Sequence, residues 1–303
     1  MTIRNSVKVS DVTGFGKTTI GFILVGFATS LPELSVSVFA VANPENVGVS
    51  IGNVLGSNIV NIALVLGICI ILVVLKRPRF PTFALEIAKE EMGNLHFGLF
   101  IASMIPLALL YLGYASRFIG VILVTIFVIN MIQVARSNKK RDISSVPSGK
   151  GGIRGYVIFA LLGAVLVIAT SFFIVETAST LAVGVGIPPV VIGATIIAFG
   201  TSIPELATSV SSTRKGHFDL ALGNIVGSGF INITLILGVA LIASPLNVSI
   251  TAFSNLALFS LIVNLFLWYF LGSGKMSWRE GAIFLALYAA FLVVSFGGFN
   301  PQA

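Results

Sequence analysis

Gly26-Phe27-Ala28-Thr29-Ser30-Leu31-Pro32-Glu33 recurs almost unchanged as Ala198-Phe199-Gly200-Thr201-Ser202-Ile203-Pro204-Glu205. Each copy is followed by a second matched element. The first reads Gly-Asn-Val-Leu-Gly-Ser-Asn-Ile-Val-Asn over 52–61, and the second Gly-Asn-Ile-Val-Gly-Ser-Gly-Phe-Ile-Asn over 223–232. Both glutamates sit inside apolar runs. A carboxylate at bilayer depth costs roughly 2.5–3.5 kcal/mol on an insertion scale, so something it does must offset that cost. Its occurrence in corresponding places of two halves is the mark of a transporter built from repeats.

Composition agrees with a membrane location. The 303 residues are 56% hydrophobic and 10% charged, with a mean hydropathy of +1.04, and apolar runs recur along the whole length. The net charge of +7 could point to nucleic acid, but the cationic residues fall in loops, where they set topology. A nucleic-acid partner is therefore not expected; the bilayer is the expected surrounding. The lone Cys69 lies in an apolar run and is expected to pack, with no disulfide possible within the chain. Residues 1–17 are polar and basic and lack the apolar region and cleavage site of a signal peptide.

Apolar segments fall at about 18–42, 47–75, 95–114, 118–135, 155–183, 187–213, 218–243, 253–272 and 279–297, nine expected crossings. A basic linker over 136–154 separates two halves, 1–141 and 142–303. On this path 17 of the 18 Lys and Arg residues share one side, and only Arg117 lies on the other. That bias predicts a cytoplasmic N-terminus and an outside C-terminus, in the cell membrane. Five crossings separate the helices of Glu33 and Glu205, so the two run in opposite directions. The expected fold is an all-α polytopic membrane protein of two inverted-topology repeats with discontinuous helices.

The chemistry of the repeated segments is uniform. Pro32 and Pro204 each interrupt a helix and free carbonyls one turn earlier, beside a carboxylate and two hydroxyls (Thr29, Ser30; Thr201, Ser202). Carboxylate, hydroxyl and carbonyl oxygens suit hard cations such as Ca²⁺ and Na⁺, and two glutamates neutralise one Ca²⁺. Gly52 and Gly56, and Gly223 and Gly227, have the spacing of closely approaching membrane helices. Ser57 and Asn61 share a helix face, as do Ser228 and Asn232. A single Gly-xxx-Gly is ordinary packing, and a single intramembrane hydroxyl ordinarily bonds its own helix. Neither explanation produces the whole constellation twice at an offset of 171–172 residues. Glu176 has no twin and is read as structural. His96 and His217 fall at segment edges, which leaves no zinc site. Trp268 and Trp278 sit where interfacial anchors do.

Thr-Ser-Leu-Pro-Glu with Gly-Asn…Gly-Ser-Asn-x-x-Asn, repeated in inverted halves, resembles the α-repeats of the sodium/calcium exchanger branch of the cation/Ca²⁺ antiporters. The resemblance covers nearly the whole chain. It implies that Glu33 and Glu205 are the central Ca²⁺ carboxylates, with Thr29 and Thr201 adding backbone oxygens. Ser30, Ser57, Ser202 and Ser228, with the carbonyls of Gly26 and Ala198, would line flanking Na⁺ sites. Asn61 and Asn232 match the mid-site amides. Potassium-dependent relatives carry an aspartate at one of these two positions, so independence from K⁺ is expected. Two departures stand out. Family members typically have ten helices, and the helix at 155–183 has no counterpart ahead of the first repeat, which leaves a truncation, a missed start or a genuine nine-helix form, the first two being favoured. Ala28 also stands where the second copy has Gly200, a methyl expected to tighten the first half of the site.

The expected function is therefore exchange of Ca²⁺ for Na⁺ by alternating access, by a monomer, with no cofactor and no covalent catalysis. A proton/Ca²⁺ exchanger using the same glutamates is the alternative; that branch typically shows Gly-Asn-x-x-Glu instead of Thr-Ser-x-Pro-Glu. An intramembrane hydrolase would need a Ser/His pair, an Asp/Asp pair or histidine metal ligands at membrane depth, and the sequence offers none. A channel is disfavoured because a neutralising pair of glutamates promotes tight binding over throughput.

Overall fold

The computed structural model describes residues 17–42, 47–76, 82–85, 87, 89–137, 187–247 and 250–297, together with Phe173, Thr177 and Thr180. Apart from those three positions, the expected crossing at 155–183, with Glu176 in it, lies outside the described residues, as does most of the basic linker. The described chain is helical almost throughout. Its helices are α1 (Lys17–Thr29), α2 (Leu31–Val41), α3 (Val47–Leu75), α4 (Lys89–Leu112), α5 (Arg117–Ser137), α6 (Pro189–Thr201), α7 (Ile203–Arg214), α8 (Phe218–Ala243), α9 (Ile250–Ser273) and α10 (Trp278–Gly297). Five of these are long and apolar enough to cross a bilayer, and α1–α2 and α6–α7 each form a span bent by 44°. This is an all-α polytopic integral membrane protein.

Each bend has a local cause. Ser30 (φ −82°, ψ 7°) and Ser202 (φ −81°, ψ 4°) leave helical geometry, and the next helix begins with proline in its first turn. Proline is tolerated there because its missing N–H would be unpaired at a helix start in any case. Ser30 N–H still donates to the Gly26 carbonyl (3.0 Å) and Ser202 N–H to the Ala198 carbonyl (3.1 Å), so the chain bends without fraying.

The centre belongs to α3 and α8. Every residue from Val49 to Ala63, and from Leu220 to Thr234, is buried. Their glycines explain why. A Cβ at Gly56 would lie 2.3 Å from the Ala194 carbonyl oxygen of α6, and one at Gly227 would lie 2.3 Å from the Phe22 oxygen of α1. At Gly52 and Gly223 the corresponding distances, to Val190 and Thr18, are 2.2 and 2.0 Å. The Gly-xxx-Gly pairs thus let α6 cross α3, and α1 cross α8, at backbone contact. Dispersion and interhelical polar contacts drive such association in lipid, where burial of apolar surface supplies little. The outer helices α4, α5, α9 and α10 turn large apolar side chains outward, among them Tyr111, Phe118, Tyr269 and Val293.

Two short antiparallel strand pairs depart from a purely helical expectation. β1 (Thr82–Ala84) pairs with β4 (Lys275–Ser277), and β2 (Tyr114–Ala115) with β3 (Leu246–Asn247). Segments of two or three residues are too short to show alternation, and each pairing joins loops distant in sequence.

The helices also contain π-helical turns at Gly21–Val25, Val60–Leu66, Gly193–Ile197 and Asn232–Ile236. Each adjoins a repeated motif. A π turn inserts one extra residue and rotates the remainder of its helix, and such turns cluster at functional sites.

Candidate ion-binding site

The two glutamates open the second halves of the bent spans, at the third positions of α2 and α7, and both are completely buried. Placement at a helix N-terminus favours a carboxylate, because the unpaired N–H groups there carry partial positive charge. Each acid is met by a serine from the other bent span. Ser30 Oγ lies 3.4 Å from Glu205 Oε1, and Ser202 Oγ 3.3 Å from Glu33 Oε1. Ser228 of α8 adds a contact of 3.3 Å to Glu205 Oε1 and one of 3.4 Å to the Gly26 carbonyl. The two repeated segments thus face each other across one buried cluster.

Asparagines tie the cluster together. Asn53 of α3 donates to the Glu33 carbonyl (3.2 Å) and to Ser37 Oγ (3.3 Å), while its Oδ1 accepts from Thr201 Oγ1 (3.1 Å). Asn224 of α8 repeats the arrangement. It donates to Ser209 Oγ (3.0 Å) and Thr208 Oγ1 (3.2 Å), and its Oδ1 accepts from Thr29 Oγ1 (3.1 Å). Asn53 therefore fastens the first bent span at Glu33 and at Ser37, Asn224 fastens the second at Thr208 and Ser209, within the turn after Glu205, and each grips the other span through a threonine. Sequence reasoning assigned no site role to Asn53 or Asn224. The signal was present in the repeated Gly-Asn dipeptide, but which partner each amide reaches depends on how the helices cross.

Several buried polar atoms make no hydrogen bond among the described residues. They include Glu33 Oε2, Glu205 Oε2, Ser57 Oγ and both amide atoms of Asn58, Asn61 and Asn232. Nor does either glutamate have a cationic partner among the described residues. Buried polar atoms are ordinarily paired, and a buried charge without a counter-charge is costly. Among the described residues no three His, Cys, Asp or Glu side chains converge, so the cluster's donors are two carboxylates with hydroxyls, amides and backbone carbonyls. That chemistry fits oxygen-seeking cations.

The other sequence expectations sort cleanly. Thr29, Thr201, Ser30, Ser202, Ser228 and Gly26 join the hydrogen-bonded cluster, and the Ala198 carbonyl accepts from Thr201 Oγ1 (3.3 Å) and the Ser202 N–H. Ser57, Asn61 and Asn232 are buried on α3 and α8 but bond to none of the others. Asn58 was not anticipated; its Oδ1 sits where a Cβ on Gly229 would be only 3.0 Å away, so an amide in one copy occupies space the other leaves empty. The Ala28 expectation fails. Ala28 is exposed, and a Cβ on Gly200 would have nothing within 4 Å, so this methyl points away from the site and tightens nothing. Cys69 is buried, and His96 stacks on Trp268 with centroids 4.8 Å apart.

Comparison with known proteins gives the same picture. A sequence profile described as sodium/calcium exchanger protein matches residues 1–135 and 155–297. The sodium/calcium exchanger MaX1 of Methanosarcina acetivorans is 32% identical, with 97% of this chain and 93% of that protein covered. The inner membrane protein YrbG of Escherichia coli is also 32% identical, with 82% and 78% covered. Among solved structures, the sodium-calcium exchanger NCX_Mj soaked with 2.5 mM Na⁺ and 0.1 mM Sr²⁺ superposes with a TM-score of 0.72 at 25% identity, covering 98% of this chain and 92% of that one.

Proposed function

Since the chain belongs to the sodium/calcium exchanger protein family, whose members exchange cations with Ca²⁺, we propose that it moves Ca²⁺ against Na⁺ through one site centred on Glu33 and Glu205. The observation that carries this reading is the pair of fully buried carboxylates, each with one oxygen lacking any hydrogen bond and neither with a cationic partner among the described residues. Two negative charges balance one Ca²⁺, and Na⁺ ions drawn to the same carboxylates balance them in its place. Loading one ion therefore excludes the other, and that exclusion couples the two fluxes.

The remaining groups divide by chemistry. Thr29 and Thr201 offer backbone oxygens to the central ion. Ser30, Ser57, Ser202 and Ser228, with the Gly26 and Ala198 carbonyls, line the flanking Na⁺ positions, and Asn61 and Asn232 supply neutral amide oxygens between them. The halves 1–141 and 142–303 act as inverted repeats, a reading supported by contacts that recur pairwise: Ser30–Glu205 with Ser202–Glu33, and Thr29–Asn224 with Thr201–Asn53. Alternating access then consists of the bent spans shifting against α3 and α8. The basic face is oriented to the cytoplasm by its excess of Lys and Arg.

The test is ⁴⁵Ca²⁺ uptake into proteoliposomes under an imposed Na⁺ gradient, beside an imposed pH gradient. Uptake driven by Na⁺ alone is the expected result. Uptake that tracks the pH gradient and ignores Na⁺ would assign proton coupling to the same carboxylates.

A further inference from the structure

Away from the acids, on the basic face, the ends of four helices surround a cleft of about 490 Å³. Lys17 opens α1, Lys76 comes directly after α3, Arg214 and Lys215 close α7, and Asp219 lies in the first turn of α8. Topology alone requires only that cations lie on this side; it does not require them to converge on one cavity. Among the described residues that line it, four cations face one carboxylate, and that carboxylate is already engaged, since Asp219 Oδ1 accepts from the Leu220 N–H at 2.9 Å. None of the four forms an ion pair among the described residues. Lys76 Nζ is held by the Arg214 carbonyl, which fixes its ammonium at the rim. Buried Thr213 also lines the wall, its hydroxyl beside the Cys69 thiol of α3. At the start of α8 His217 provides no side-chain cap, and the Leu220 N–H is taken by Asp219, so the cleft's positive charge rests on the four side chains.

We propose that this cleft binds a phosphate group, carried by an anionic phospholipid headgroup or by a soluble phosphate. Lysine and arginine charges converging on one cavity are the groups that recognise phosphate oxygens. The positive φ of Gly216 (+86°) turns the chain sharply between α7 and α8, so both helix ends reach the same cavity. All four helices that end here carry groups of the buried carboxylate cluster or its supports. A bound anion therefore clamps their ends and resists their separation, which makes the cleft a regulatory site for whatever motion opens the protein to this face.

Binding is measured on the full chain in nanodiscs, so the result does not depend on which ions are exchanged. Thermal midpoints are compared in phosphatidylcholine discs, in discs with increasing phosphatidylglycerol, and in phosphatidylcholine discs titrated with inorganic phosphate. The midpoint is expected to rise in at least one of the last two arms; a rise with lipid alone identifies the headgroup, and a rise with phosphate alone the soluble anion. Lys76→Gln and Lys215→Gln are each expected to weaken the apparent affinity about fivefold per charge removed. Arg279→Gln, on the same face but outside the cleft, should leave it unchanged. Equal midpoints in all three arms would overturn the proposal. So would an equal loss in Arg279→Gln, which would reduce the effect to general surface charge. Lys215→Gln, at an exposed position, keeps the test open should Lys76→Gln fail to fold.

Discussion

Gly56→Ala and Gly227→Ala are predicted to disable the protein by a single methyl each. At Gly56 the new Cβ would lie 2.3 Å from the Ala194 oxygen, 2.5 Å from its Cα and 2.7 Å from its carbonyl carbon. At Gly227 the distances to the same atoms of Phe22 are 2.3, 2.5 and 2.8 Å. Ordinary contact begins near 3.4 Å, so each crossing must open by about 1 Å, and the opposing atoms are backbone that cannot rotate away. Exchanging glycine for alanine within a helix gains up to about 1 kcal/mol of helix propensity. Overpacking costs about 1–3 kcal/mol or more, so the clash decides the sign. The functional loss should be larger than the stability loss, because Ser57 and Ser228 come directly after these glycines and a binding constellation tolerates only about 0.5 Å of displacement. Gly200→Ala is the control, with no heavy atom within 4 Å of the added carbon. The assay pairs thermal midpoints by fluorescence-detected size exclusion with ⁴⁵Ca²⁺ uptake in proteoliposomes. A drop in midpoint with uptake reduced about tenfold or more is expected for Gly56→Ala and Gly227→Ala, and near wild-type behaviour for Gly200→Ala. Should all three variants match wild type, the backbone-contact reasoning is wrong.

Glu33→Gln and Glu205→Gln, which keep shape and remove charge, should each abolish ⁴⁵Ca²⁺ uptake while the protein elutes as a folded species; near-normal uptake would remove that residue from the site. Asn53→Ala and Asn224→Ala should each lower stability by about 1–3 kcal/mol, because the removed amide leaves buried partners unpaired, and should weaken Ca²⁺-dependent thermal stabilisation as well. Ca²⁺ flux should persist when K⁺ is replaced by an inert cation, since Asn61 and Asn232 are neutral and cannot balance an additional charge. Asn232→Asp should accordingly change ion dependence far more than Asn232→Gln, measured as flux against K⁺ concentration.

Much of this protein was legible in the chain itself. Membrane residence is readable from composition because a bilayer sorts residues by transfer energy alone, a local property of each segment. The bends at Ser30 and Ser202 arise from Pro32 and Pro204, which act on their own helix. The paired glutamates are readable because duplication preserves the order and spacing of residues. What the order of residues could not decide is who meets whom. The grip of Asn53 on Thr201 spans 148 residues, and the contact between Ser30 and Glu205 spans 175; both exist only because glycines let the helices cross at backbone contact. The outward aim of Ala28, the space that Asn58 fills beside Gly229, and the convergence of Lys17, Lys76, Arg214 and Lys215 on one cleft were settled in the same way. Local pattern determines which helices form and which polar groups they carry. The rotation and separation of packed helices determine which of those groups share a cavity, and that information resides in the summed contacts of the whole fold.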